Sequence, residues 1–313
     1  MIEGLVLGGT NNIFEVESEN GEVRLCSIKG KKLQASEGYY NPLAAGDKVM
    51  IVPDELDIKR GQIISLVPRK NHFVRWNQKG NAPQLLAANL DLIVIVTTPN
   101  EPPFRPRFVD RALVQADAEH IVPLILLNKS DLGTDPDVDE RINDWERLGY
   151  EILQVSAKTG EGLDRLVSIL AGKISAFVGQ SGVGKSSILN SLDTRLTLRT
   201  AELSEKYGRG THTTTKGMLF HLPKDSEGLS TSIIDTPGVR RFILHDIPAK
   251  DLALYFREME SLVGTCSWGH SCTHLSEPGC KILEAVYAGV ILEERYESWQ
   301  RIREEIETGS WSD

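Results

Sequence analysis

The sequence predicts an α/β protein in three parts: a small β-barrel, a doubly wound, mostly parallel sheet, and a mostly helical module clamped by metal. Three observations predict it. Strand-like runs joined by turn signals fill residues 1–70. Strands alternate with amphipathic helices over residues 86–245. Three of the four cysteines crowd into residues 266–280. The 313 residues, 40% hydrophobic and 25% charged, suit a folded chain of two to three domains.

In the first part, Ile13–Glu17 and Val23–Ile28 flank the turn Asn20-Gly21, and Lys48–Val52 and Gly61–Val67 come next. Alternating segments around such turns read as hairpins. A five-stranded barrel of the oligonucleotide-binding type fits over residues 1–70, and an SH3-like barrel fits nearly as well. Arg24, Lys29, Lys31 and Lys32 sit in or beside one hairpin, either as a nucleic-acid face or as lysines guarding a strand edge. Residues 71–85 mix polar residues with Gly80 and Pro83 and read as a linker or mobile loop. Phe73 and Trp76 lie there among Arg69, Lys70, Arg75 and Lys79, as base-stacking aromatics or as a buried anchor.

The second part, residues 86–245, reads strand Leu90–Thr97, helix Arg107–Glu119, strand Val122–Leu127, helix Val138–Leu148, strand Glu151–Val155, helix Leu163–Leu170 and strand Ile174–Val178. Ligands of such sheets bind at the carboxyl ends of the strands. At those ends lie four motifs. Gly179-Gln180-Ser181-Gly182-Val183-Gly184-Lys185-Ser186 is a phosphate loop between a strand and the helix that opens at Ser186-Ser187. Its glycines let backbone N–H groups surround phosphate oxygens, Lys185 neutralises the β- and γ-phosphates, and the Ser186 hydroxyl ligates Mg²⁺. Asn128-Lys129-Ser130-Asp131 is a guanine reader. The Asp131 carboxylate accepts from guanine N1–H and the 2-amino group, and the Lys129 stem covers the base face. Ser156-Ala157-Lys158 offers a backbone N–H to guanine O6. Asp235-Thr236-Pro237-Gly238 ends an apolar strand, Asp235 holding Mg²⁺ through water and the Gly238 N–H sensing the γ-phosphate. Between them, Gly208–Thr215 reads as a mobile loop in which Thr214, in preference to Thr213, reaches Mg²⁺. Together the motifs make a GTP/GDP site, and Asn128–Asp131 disfavours the rival reading as a P-loop kinase or ATPase.

The order of the motifs is unusual. The base readers precede the phosphate loop, which a circular permutation explains, with new termini just past Gly238. With a leading barrel and a trailing cysteine cluster, the chain resembles the RsgA (YjeQ) family of circularly permuted ribosome-assembly GTPases. The resemblance covers almost the whole chain through Gln84–Asp91, Gly179–Ser187, His212–Thr215 and the segment Cys272-x-His274…Pro278-Gly279-Cys280. It implies a maturation factor whose partner is the small (30S) ribosomal subunit with its 16S rRNA, and whose hydrolysis the subunit stimulates. The rival reading is a nucleotide-dependent RNA-binding scaffold with incidental hydrolysis.

Val239 stands where many GTPases carry a water-orienting glutamine. His212 is the candidate substitute, because imidazole can orient or deprotonate water near neutral pH, and the resemblance points to the same residue. In the third part, residues 246–313, Cys266, Cys272, His274 and Cys280 offer three thiolates and an imidazole, a closed tetrahedral zinc set, with His270 as an alternative ligand. The first gap is one residue longer than the family pattern. Few apolar residues surround the cluster, so metal is expected to supply much of this module's folding energy. Cys26 reads as a core cysteine.

A net charge of −9 excludes a protein that coats nucleic acid non-specifically, although residues 1–80 hold 11 Lys and Arg against 10 Asp and Glu. No signal peptide is evident, and runs such as Leu92–Val96 are too short to span a bilayer. A cytoplasmic monomer with no membrane partner is the expectation.

Overall fold

The structure is a computed structural model that describes residues 1–10, 12–30, 33, 38–196, 198, 217–223, 228–239 and 241–310. Strands β1 (Ile2–Thr10), β2 (Ile13–Ser18), β3 (Val23–Ile28), β4 (Lys48–Pro53) and β5 (Arg60–Leu66) close into a barrel in the order β1-β2-β3-β5-β4. Strict alternation drives it. In β3 every second side chain is buried, so one face joins Val6, Phe14, Val16, Val49, Ile51 and Ile63 in a core of the barrel's own. The parallel β3–β5 pair gives the five-stranded barrel the oligonucleotide-binding topology. Cys26 lies in that core, as its strand position predicts. Arg24 does not join a basic outer face: it is 8% exposed and donates to Ser18 Oγ and the Glu22 carboxylate. Lys31 and Lys32 lie outside the described residues.

Residues 71–85 are not a linker. β6 (His72–Asn77) and β7 (Ala82–Ala88) pair antiparallel, with Trp76 opposite Pro83. Proline is tolerated because this ribbon has only two strands and needs no N–H on its outer side. Phe73 is buried against Phe242, and the Trp76 N–H donates to Ile243 O at 3.0 Å, so contacts far along the chain fix the hairpin. Asn89, in the left-handed region at φ 56°, accepts from the Lys70 N–H and donates to Gly46 O, stitching hairpin to barrel.

The central sheet has the order β10-β9-β8-β11-β13-β12. Its strands are β8 (Leu92–Thr97), β9 (Val122–Asn128), β10 (Glu151–Val155), β11 (Ile174–Gly179), β12 (Met218–His221) and β13 (Ser232–Asp235), all parallel except edge strand β12. Helices α1 (Pro106–Ala118) and α2 (Pro136–Arg147) pack on one face, α3 (Leu163–Leu170) and α4 (Lys185–Leu192) on the other. The central strands β8, β9 and β11 are therefore buried on both sides and read as near-continuous apolar runs.

Beyond Gly238 the chain forms a 3₁₀ stretch (Ala249–Tyr255), a helical turn (Arg257–Glu260), α5 (Lys281–Tyr287) and α6 (Glu293–Thr308). The apolar stripe of α6, Tyr296, Trp299 and Ile302, joins Phe256, Met259 and the three cysteines in the same core as Val109, Ala112 and Leu113 of α1. The apolar surroundings expected to be sparse are thus supplied by the central domain. Among the described residues, no helix is long and apolar enough to cross a membrane.

Candidate functional site

The four motifs converge as the topology requires. Asn128 ends β9, Ser156 comes directly after β10, Gly179 ends β11 and Asp235 ends β13, so all face one edge of the sheet. Base reader and phosphate loop touch directly: Asn128 Nδ2 donates to Val183 O at 2.8 Å. That contact is why position 184 is glycine. Gly184 holds φ 93°, and a Cβ there would lie 2.3 Å from Asn128 Nδ2. Asn128 Oδ1 accepts the Ala157 N–H at 3.1 Å, joining the third motif.

Asp131 is aimed by Ser156. This serine is buried, and its Oγ donates to Asp131 Oδ1 at 2.7 Å, with Lys158 Nζ 3.7 Å from Oδ2. The hydrogen bond from Ser156, more than the charge of Lys158, holds the Asp131 carboxyl below its ordinary range, leaving an anion ready to accept. Sequence reasoning gave Ser156 only a backbone role. A hydroxyl directly after a strand whose neighbour carries the base reader is the signal for this second one. The Ser156 N–H is engaged by Glu161 O at 3.0 Å.

Lys185 opens α4 and is buried, its Nζ donating to Gly179 O at 2.7 Å and Gln180 O at 3.1 Å. Burial pushes its ammonium down to about 8, partly opposed by Asp235. Asp235 is 2% exposed, and burial pushes it up to about 6 against the pull of Lys185. Asp235 Oδ1 is buried and has no hydrogen-bond partner among the described residues. An orphaned carboxylate oxygen beside a buried ammonium and the half-buried Ser186 fits a site completed by a hydrated divalent cation and phosphate. Ser187 is half-buried beside it, and Gln180, Ser181 and Gly182 line the open side of the loop. Gly238 sits over Ser181, where an added Cβ would find Ser181 Cα at 3.6 Å. Val239 is fully buried, its N–H donating to Gly179 O, so this position faces the core and not the water. His212, Thr213 and Thr214 lie outside the described residues.

The metal centre forms as one cluster. The ligand atoms of Cys266, Cys272, His274 and Cys280 lie within 4.8 Å of one another, all four residues buried. Cys266 Sγ is 3.9 Å from Cys280 Sγ and 3.6 Å from His274 Nδ1. The sulfur pair is too far apart for a disulfide and close to the tetrahedron edge of about 3.8 Å that zinc–sulfur bonds of about 2.3 Å require. The Lys281 N–H donates to Cys266 Sγ, Tyr296 OH donates to His274 O at 2.6 Å, and Trp299 meets the His274 ring edge-on. His270 stands apart, its ring against Gly264. The donor set fits one zinc ion.

A family model described as RsgA GTPase matches residues 66–245. The chain belongs to the RsgA GTPase family. It is a GTP-hydrolysing enzyme with a circularly permuted nucleotide domain. A relative named small ribosomal subunit biogenesis GTPase RsgA, from Borreliella burgdorferi strain ZS7, is 36% identical over 97% of this chain and 96% of its own length. Its namesake from Chlorobaculum parvum is 37% identical over 98% of each. Among solved structures, YjeQ from Thermotoga maritima superposes with a TM-score of 0.71 at 31% identity, covering 97% of this chain and 98% of its own. YloQ, a circularly permuted GTPase, shares the fold with a TM-score of 0.68 at 23% identity, over 100% of this chain and 97% of its own.

Proposed function

We propose that this chain acts in late maturation of the small (30S) ribosomal subunit, where the subunit stimulates its GTP hydrolysis and hydrolysis times release. The observation that carries the nucleotide half is the Asn128–Val183 hydrogen bond, which locks base reader and phosphate loop into one pocket. The subunit half rests on the relatives that bear that name.

In this reading Asp131 accepts from the guanine N1–H and 2-amino group. Since the Ala157 N–H is committed to Asn128, the donor to O6 is the Lys158 N–H. Lys185 exchanges the carbonyls of Gly179 and Gln180 for the β- and γ-phosphates. N–H groups from Gly182 to Ser187 surround those phosphates, and the Gly238 N–H meets the γ-phosphate. Ser186, Asp235 and Thr214 would hold magnesium, which would neutralise charge on the phosphate oxygens. His212 orients the attacking water, because buried Val239 cannot. Cys266, Cys272, His274 and Cys280 would hold one zinc ion, which would brace the C-terminal module. The chain works as a cytoplasmic monomer on 16S rRNA, with the barrel ending near residue 70 and the GTPase domain near residue 245.

GTP turnover with and without purified 30S particles is the test. Stimulation is expected, and equal turnover in both would leave the scaffold reading in its place. His212→Ala should lower stimulated turnover by at least about a hundredfold with GTP affinity near normal. Equal loss of both would refute its role.

A further inference from the structure

Strand β8 lies between β9, which ends in the base reader, and β11, which ends in the phosphate loop. The segment leaving β8 therefore begins between the two halves of the nucleotide pocket. That segment is Thr98-Pro99-Asn100-Glu101-Pro102-Pro103-Phe104, which lies outside all four motifs. We propose that this loop is a positioning wall for the guanine base, acting through Lys129; this rests on the guanine-site reading above.

Three contacts carry it. Lys129 Nζ donates to Glu101 O at 2.5 Å, so a backbone carbonyl of the loop holds the ammonium. The ring of Pro102 stands beside the phosphate loop, its Cδ 3.7 Å from where a Cβ on Gly182 would be. Buried Thr98 donates from Oγ1 to Pro102 O at 2.8 Å, fixing the turn that presents both. Phe104, edge-on to Trp145 at 6.0 Å, anchors the loop's far end on α2.

A lysine that serves as a platform has a compact charge on a long flexible stem. Tying down the ammonium removes that freedom before the base arrives, so the stem is laid out in advance. The Glu101 side chain is exposed and takes no part, since its carbonyl does the holding. Thr98 and Pro102 are thus positioning residues for base recognition.

A double-mutant cycle on the full chain, read as dissociation of fluorescent GDP, tests this. Thr98→Val should speed release about fivefold, the scale of one hydrogen bond's net worth. Thr98→Ser, which keeps the hydroxyl, should restore the wild-type rate. In a Lys129→Ala background Thr98→Val should add nothing, because the platform it orients is gone. Unchanged release in Thr98→Val, or an effect that survives in Lys129→Ala, overturns the assignment. If Thr98→Val does not fold, Thr98→Ala, which also removes the hydroxyl, replaces it under the same prediction. Wild-type protein that fails to prefer GDP to ADP sinks the guanine reading and this inference with it, whereas failure of the loop alone leaves that preference intact.

Discussion

The barrel and the C-terminal module flank the same GTPase domain but are joined to it by different physics. The barrel keeps its own core and meets the central sheet through polar and close-packed contacts at its rim. His221 Nε2 lies 2.7 Å from the Glu17 carboxylate, Gly8 abuts Met218, and Ala45, Leu5 and Leu7 pack against the central core. The C-terminal module has no separate core among the described residues, because its cysteines and α6 stripe belong to the core that also holds α1. Above that core lies a buried ionic lock. Asp110 of α1 accepts from Arg141, Arg295, Ser298 and Trp145, Arg295 also pairs with Glu258, and Arg111 pairs with Glu305. The lesson concerns motion. A module locked in this way could move apart from the GTPase domain only by breaking a buried charge network.

The comparison breaks most readily at the metal. Cys280→Ala should unfold the C-terminal module and also lower the melting temperature of the GTPase domain. Structural zinc contributes on the order of 10 kcal/mol, and its ligands sit in the shared core. Separate transitions, with the GTPase domain unmoved in calorimetry, would show that the core is not shared.

Asp110→Ala comes next. It leaves Arg141 without its buried partner and should cost about 3–5 kcal/mol in denaturant unfolding. Burial alone would raise the Asp110 carboxyl, but Arg141 and Arg295, with Ser298 and Trp145, hold it below the usual range. Its folded pKa is therefore the lower one. The lock's stability is complete above the unfolded value of about 3.9 and is lost as pH falls through the folded value. Acid titration should loosen α6 from α1 only below about pH 4, in a step absent from Asp110→Ala. By contrast, Glu17→Gln at the half-exposed barrel contact should cost no more than about 1 kcal/mol, the smallest effect in this set.

Between these lies the nucleotide pocket. Burial depresses Lys185 to about 8, so at higher pH the phosphates must bring a proton in with them. GDP affinity should weaken by up to about tenfold per pH unit above pH 8. Burial raises Asp235 to about 6, so magnesium dependence should sharpen below pH 6, where protons compete for the carboxylate. Flat affinity from pH 7 to 9.5 would mean that Lys185 stays charged in the empty pocket.

The pocket was legible in the sequence and the lock was not, for a physical reason. Phosphate and guanine demand fixed residue types at fixed spacing, so Gly179–Ser186 and Asn128–Asp131 announce themselves without the fold. Asp110, Arg141, Glu258 and Arg295 are ordinary charged residues of separate segments until folding brings them together. The one local hint is Asp110 inside the apolar run of α1. The hairpin His72–Ala88 was hidden likewise, because Pro83 argues against a strand and the Trp76 bond to Ile243 lies far along the chain. The role of the Ser156 hydroxyl needed the neighbouring strand in place before it could be seen.

Exchanging acceptor for donor at Asp131 tests the pocket most directly. A carboxylate suits guanine's N1–H and 2-amino donors, whereas an amide N–H suits the 2-oxo group of xanthine. Wild-type protein should bind GDP about a hundredfold or more tighter than xanthosine diphosphate, and Asp131→Asn should reverse that order. A variant that still prefers GDP would mean that Asp131 does not read the base.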